Sequence, residues 1–186
     1  MTNWELYRAA QIKKAKKEAE TKGTSLVELI NRTITEYHDE SLTYVGQHAF
    51  RRCLDLGRVT LPNALMADNY AFAECSALTD VCFPMMTNIG YASFSSCRSL
   101  PIAEFPNAVS INALAFGNCS ALETLILSGE SVVRLLNTSA FTGSLIEAGT
   151  GFVYVPDTLV SSYKSADNWS TYAAQIKPLS ELSGGA

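Results

Sequence analysis

The side chains in this sequence best suited to chemistry are its five cysteines and two histidines. Cys53, Cys75, Cys97 and Cys119 recur at intervals of 22 residues. Stacked on successive rungs of a coil, they would lie roughly 5 Å apart, which disulfide geometry tolerates. A zinc site fits poorly, because Zn²⁺ takes ligands that converge on a point and not a linear ladder. The column is read instead as small buried groups filling a narrow part of a core. Cys82 is different. It sits between Val81 and Phe83, so strand alternation points it outward, with no adjacent His or basic residue to lower its pKa.

His38 and His48 are not paired with a nucleophile in any recognisable motif, and no glycine-rich phosphate loop or H-E-x-x-H helix occurs. Asp80 and Glu104 are the two acids that alternation places side by side on an exposed face, a thin basis for glycoside hydrolysis. The expectation is therefore a protein without catalytic residues, metal or cofactor.

The elements that position these residues follow from an internal period. Phe50, Phe72, Phe94 and Phe116 lie 22 apart, and each cysteine of the column follows three residues later. Leu56, Leu78, Leu100 and Leu122 come next, then Val59, Val81, Ala103 and Leu125, then Leu61, Phe83, Phe105 and Leu127. Pro62, Pro84 and Pro106 close three of the four units. The unit is A-F-x-x-C-x-x-L-x-x-V-x-L-P. Its second half reads as a short strand ended by proline, which cannot donate to a ladder. The three-residue spacing of A-F-x-x-C suits a turn of helix across the coil. No single unit can bury its apolar side alone, so stacking builds the core.

The expected fold is thus an α/β solenoid of 22-residue repeats with short parallel strands, an N-terminal helix and a C-terminal helical cap. Residues 1–23 read as a helix, 24–44 as a cap with a degenerate repeat, and 45–134 as four repeats. Residues 135–182 read as a last irregular repeat with its cap, and 183–186 as a tail. Thr33 to His38 is read as the first strand; continuing a helix through Tyr37 is the competing reading. Phe152-Val-Tyr-Val155 is read as the last strand. Asp157 is expected to cap a helix carrying Leu159, Val160 and Tyr163, with Trp169, Tyr172 and Ile176 closing the core end.

Composition narrows the partners. Apolar residues are 47% and charged residues 17% of the chain, so a packed core is expected. Net charge is −4, and residues 1–40 carry seven basic and seven acidic side chains. The remainder is therefore acidic, which argues against a nucleic-acid partner. No apolar run of about 18 residues exists to insert in a membrane, and the start of the chain does not read as a secretory leader.

The unit resembles the BspA-type leucine-rich repeat over about residues 42–156. The stretch from Gly151-Phe-Val-Tyr-Val-Pro through Asn168-Trp-Ser-Thr-Tyr resembles the C-terminal cap common in that family. Chains with this cap and a short polar N-terminal segment are similar to phage- and prophage-encoded proteins of Gram-positive gut bacteria, which tend to be tail-associated. Other members are adhesive bacterial surface proteins. The resemblance implies a binding role in a virion, at a tail tip or baseplate, with other virion proteins and a host-surface protein or polysaccharide as partners. A bacterial adhesion or protein-interaction module is the alternative.

Alternation puts Arg58 and Thr60, Asp80 and Cys82, Ile102 and Glu104, and Thr124 and Ile126 outward, and these vary between rungs while core positions do not. That exposed sheet is the candidate ligand face. The competing reading is an ordinary solvated face, with contacts made by the loops around 63–69 and 128–136. Trp4, Tyr7 and Ile12 on the N-terminal helix are candidates for assembly, including a homo-oligomer, with folding back as a cap as the other reading.

Overall fold

The computed structural model describes residues 35–182, and the expected N-terminal helix, the start of its cap and the tail lie outside them. Within that span the chain coils so that each turn contributes two short strands and a bend. One flank holds β1 (Glu36–His38), β3 (Arg58–Thr60), β5 (Asp80–Cys82), β7 (Ile102–Glu104), β9 (Thr124–Ile126), β11 (Phe152–Val155) and β12 (Ile176–Pro178). A second flank, absent from the sequence reading, holds β2 (Tyr44–Val45), β4 (Met66–Ala67), β6 (Asn88–Ile89), β8 (Ser110–Ile111) and β10 (Arg134–Leu135). All pairings are parallel, and residues pair with those 22 positions on through the regular repeats.

The first flank is not one sheet. β1, β3 and β5 form one ladder, and β7, β9, β11 and β12 another. The break falls at Pro101. At the equivalent position Thr79 N–H donates to Gly57 O at 2.9 Å, and Glu123 N–H to Pro101 O at 2.9 Å. Pro101 has no N–H to give to Thr79, which removes one hydrogen bond between β5 and β7; the counterparts of Asp80 N–H to Gly57 O and Leu61 N–H to Cys82 O are also not formed there.

The A-F-x-x-C segments are not helical, contrary to the expectation from their spacing. His48, Arg52, Tyr70, Glu74, Ala92, Ser96, Leu114 and Asn118 all have φ between 50 and 64°. Two left-handed residues per turn of the coil prevent a helix from propagating. Alternate N–H groups reach across to the next rung instead: His48 to Asn69 O, Phe50 to Ala71 O and Arg52 to Ala73 O, at 2.7–3.2 Å. The intervening ones close tight turns, as Arg51 N–H does to His48 O at 3.1 Å. Backbone groups are satisfied between rungs, which three-residue periodicity alone does not reveal.

The core is a set of columns. Phe50, Phe72, Phe94, Phe116 and Phe141 stack nearly parallel with centroids 5.1–5.9 Å apart. Leu56, Leu78, Leu100 and Leu122 are fully buried. All five cysteines are free thiols. In the column, Cys75 Sγ–H donates to Phe50 O, Cys97 to Phe72 O and Cys119 to Phe94 O, at 3.0–3.3 Å. Each thiol fills a narrow space and supplies a weak donor to a carbonyl of the preceding rung, which alanine could not.

At the C-terminal end a 3₁₀ turn (Asp157–Leu159) leads into α1 (Val160–Ser165), and a second turn (Trp169–Tyr172) precedes β12 and α2 (Leu179–Leu182). Tyr163, Trp169 and Ile176 are fully buried and Tyr172 nearly so. Two expectations are corrected here. Asp157 does not cap that helix; its Oδ1 accepts from Ser180 N–H at 3.1 Å, tying α2 back to the solenoid. Ile176 belongs to a further strand, so Phe152–Val155 is not the last.

Candidate interaction surface

The first flank presents two outward columns. Glu36, Arg58 and Asp80 stand in register, as do His38, Thr60 and Cys82. Across the break at Pro101, Ile102, Thr124 and Phe152 continue one column, and Glu104, Ile126, Tyr154 and Lys177 the other. The eight residues singled out from sequence therefore share this flank but fall on two ladders, four on each. Trp4, Tyr7 and Ile12 lie outside the described residues.

The two halves differ in chemistry. On the N-terminal half Arg58 Nε donates to Asp80 Oδ2 at 2.7 Å, a surface pair with both side chains more than half exposed. Such a pair contributes about 0–1 kcal/mol and leaves a polar, hydrated surface. Cys82 is exposed, as alternation requires. On the C-terminal half Ile102 is 53% exposed. Phe152 and Tyr154 meet edge-to-face at 6.4 Å, and Lys177 Nζ lies 5.7 Å above the Phe152 ring. Ser128 Oγ–H donates to Glu104 Oε1 at 3.4 Å.

Phe152 and Tyr154 are contact candidates that the sequence reading named as strand but not as surface. Their signal was available: Val153 and Val155 occupy inward positions, so F-V-Y-V alternates out, in, out, in. Lys177 could not be found that way, because β12 falls outside the 22-residue rhythm.

Two clefts accompany the C-terminal cap. One of about 350 Å³ lies between β10 and the Trp169 turn, with Arg134 and Asp167 as its charged lining residues. The other, about 270 Å³, is lined by Thr138, Ser139, Thr142, Glu147, Thr171, Tyr172 and Gln175. Each has a single carboxylate, which gives no acid–base pair. Among the described residues no three His, Cys, Asp or Glu side chains gather as metal ligands, and no helix is long and apolar enough to cross a membrane.

Three of the column thiols, Cys75, Cys97 and Cys119, are not poised as nucleophiles, whereas the hydrogen bond with Cys75 lowers the pKa of Cys53. Burial pushes Cys97 well above the ordinary thiol range and Cys119 up to about 12; Cys75 is raised by its hydrogen bond with Cys53 and by burial. A thiolate is required for nucleophilic attack, and these three raised groups stay protonated near neutrality.

The architecture has counterparts among solved structures. A leucine-rich cell surface protein from Faecalibacterium prausnitzii A2-165 is similar over 75% of this chain and 35% of its own, with 21% identity and a TM-score of 0.58. A leucine-rich repeat protein from Bacteroides ovatus ATCC 8483 is similar over 77% and 36%, with 20% identity and a TM-score of 0.59. A T. pallidum leucine-rich repeat protein covers 66% of this chain and 58% of its own, with 23% identity and a TM-score of 0.57. The chain thus spans less than two thirds of the length of each. No curated protein matches it. The model of the BspA type leucine-rich repeat region matches residues 30–147 in six copies, more than half of the sequence. The chain belongs to the BspA-type leucine-rich-repeat family.

Proposed function

We propose that the chain is a non-enzymatic binding module that engages a cell-surface protein or polysaccharide through its first flank. The observation that carries this reading is the contrast between columns. Inward positions repeat, whereas outward ones pass from an Arg58–Asp80 pair to Ile102, Ile126, Phe152, Tyr154 and Lys177. The exposed Ile102 and the half-buried Ile126, Phe152 and Tyr154 beside a cation supply contact area with low ordering cost. The contacts lie on the C-terminal half; the charged half serves as a hydrated rim.

The test is binding of the fluorescently labelled full chain to isolated envelope fractions of Gram-positive gut bacteria. Ile102→Asp and Phe152→Ala each lower binding at least fivefold while circular dichroism and melting temperature hold. Binding that survives both substitutions removes the reading.

The finer reading places the module on a phage tail, supported by the combination of the family's C-terminal cap with a short polar N-terminal segment, which is similar to phage- and prophage-encoded members. Its test is separate. Particles purified from an induced lysogen carrying this gene contain the chain by immunoblot, whereas a chain found in the cell envelope and missing from particles supports the bacterial adhesion module.

A further inference from the structure

The second flank differs in character from the charged N-terminal half of the first. Residues 41–45, 63–67, 85–89 and 107–111, which build its first four rungs, contain no charged side chain. Tyr44 is 50% exposed, Leu65 46%, Met85 46% and Val109 54%. Ile102 is the counterpart on the other flank, where Glu36, Arg58, Asp80 and Glu104 are charged. Between the apolar groups lie Asn88 and Ser110, with Ser110 Oγ–H donating to Asn88 Oδ1 at 2.8 Å. A surface cleared of charge and carrying Tyr and Met has the composition of an interface core.

Charge returns only at the two ends of this flank, and with opposite signs. At the first rungs Tyr44 Oη–H donates to Asp68 Oδ2 at 2.6 Å, which holds the Asp68 carboxyl below its usual range. At the last rung stands Arg134, which is exposed and makes no salt bridge among the described residues. Five rungs at about 4.8 Å put roughly 20 Å between these ends.

We infer that this flank is a self-association surface, in which two copies meet face to face and antiparallel about a two-fold axis over β6. A two-fold interface sets residue i against j and j against i, so any charge near the axis would face its own copy. An uncharged centre avoids that repulsion. The same operation exchanges the first and last rungs, bringing Arg134 of each copy to the Tyr44–Asp68 pair of the other. Each copy carries net charge −4, which opposes association through an acidic face but not through this one. The inference does not depend on the binding role of the first flank, and both flanks can act at once.

Sedimentation equilibrium of the full chain from 1 to 500 µM, at 50 and 500 mM salt, tests it. A monomer–dimer equilibrium is expected that weakens at high salt. Leu65→Asp and Val109→Asp each weaken it at least tenfold; both sites are exposed, and an unchanged melting temperature shows that the fold is kept. Arg134→Glu and Asp68→Arg each weaken it, and the two together restore it. Ile102→Asp leaves it unchanged. A chain monomeric throughout overturns the inference. So does a dimer indifferent to Leu65→Asp and Val109→Asp, which would place self-association elsewhere in the chain, or a charge-swapped pair that fails to recover.

Discussion

The indole Nε1–H of Trp169 donates a buried 2.7 Å hydrogen bond to the carbonyl of Val133, at the C-terminal edge of the second flank. Tyr163 Oη–H is donated to the same stretch, where Val133 N–H also lies 3.0 Å from that oxygen, and Asn168 Nδ2 donates to Leu135 O at 2.7 Å. Three side chains thus occupy the place of the next strand. An open parallel edge is a template for aggregation, and these groups satisfy it without extending it.

Trp169→Phe removes the indole donor, leaves the Val133 carbonyl short of a partner and opens space beside Phe141. The loss expected is about 2–3 kcal/mol of unfolding free energy. Urea denaturation measures it, and thioflavin fluorescence after prolonged incubation should rise as the β10 edge opens. A loss under about 0.5 kcal/mol would mean the cap is held by other contacts.

Ser93 takes the place of alanine in a core column that includes Ala71, Ala115 and Ala140, and its hydroxyl is buried with no hydrogen-bond partner. Ser93→Ala is expected to stabilise the protein by about 1 kcal/mol, because an unsatisfied buried hydroxyl carries its desolvation cost uncompensated. The urea midpoint should rise with an unchanged slope. A destabilised Ala variant would show that the hydroxyl does work the fold does not display.

Alkaline pH should unfold the protein through its thiols. The folded pKa of Cys119 is raised from 9.0 to about 12 by burial, and that of Cys97 is also raised. A group with a raised folded pKa contributes stability in full below its unfolded value and loses it as pH rises through the window, here from about 9 to 12. Three units correspond to about 4 kcal/mol as an upper bound. Stability should fall steeply between pH 9 and 11, and Cys119→Ala, though less stable at pH 7, should fall less steeply. Parallel pH profiles for the two proteins would count against buried thiols as the cause.

Pro101→Thr supplies the N–H missing between β5 and β7. The amide of residue 101 should then exchange with solvent about as slowly as that of Thr79, reporting one continuous ladder. Stability should change by less than about 1 kcal/mol, since the added hydrogen bond is offset by greater freedom of the unfolded chain. Fast exchange at residue 101 would assign the break to strand packing and not to the proline.

The 22-residue spacing of Phe50, Cys53, Leu56 and Val59 was enough to name the coil, its inward columns and the outward turn of Cys82. Those properties are local and periodic: a residue that recurs in step must stack on itself, whatever surrounds it. The second flank was not legible. Its strands are two residues long, and N-A-L-M-A or M-M-T-N-I alternates too briefly to register as strand. Nor was the non-helical bend, because residues as unlike as His48, Tyr70, Ala92 and Leu114 adopt the left-handed conformation only when the rungs above and below bind their backbones. The division of the exposed face at Pro101 depends on hydrogen bonds between neighbouring rungs, and the union of Ile126 with Phe152, Tyr154 and Lys177 on strands that break the rhythm. Sequence determined which residues face the core; stacking alone decided which surface residues meet, because only the register between rungs sets their neighbours.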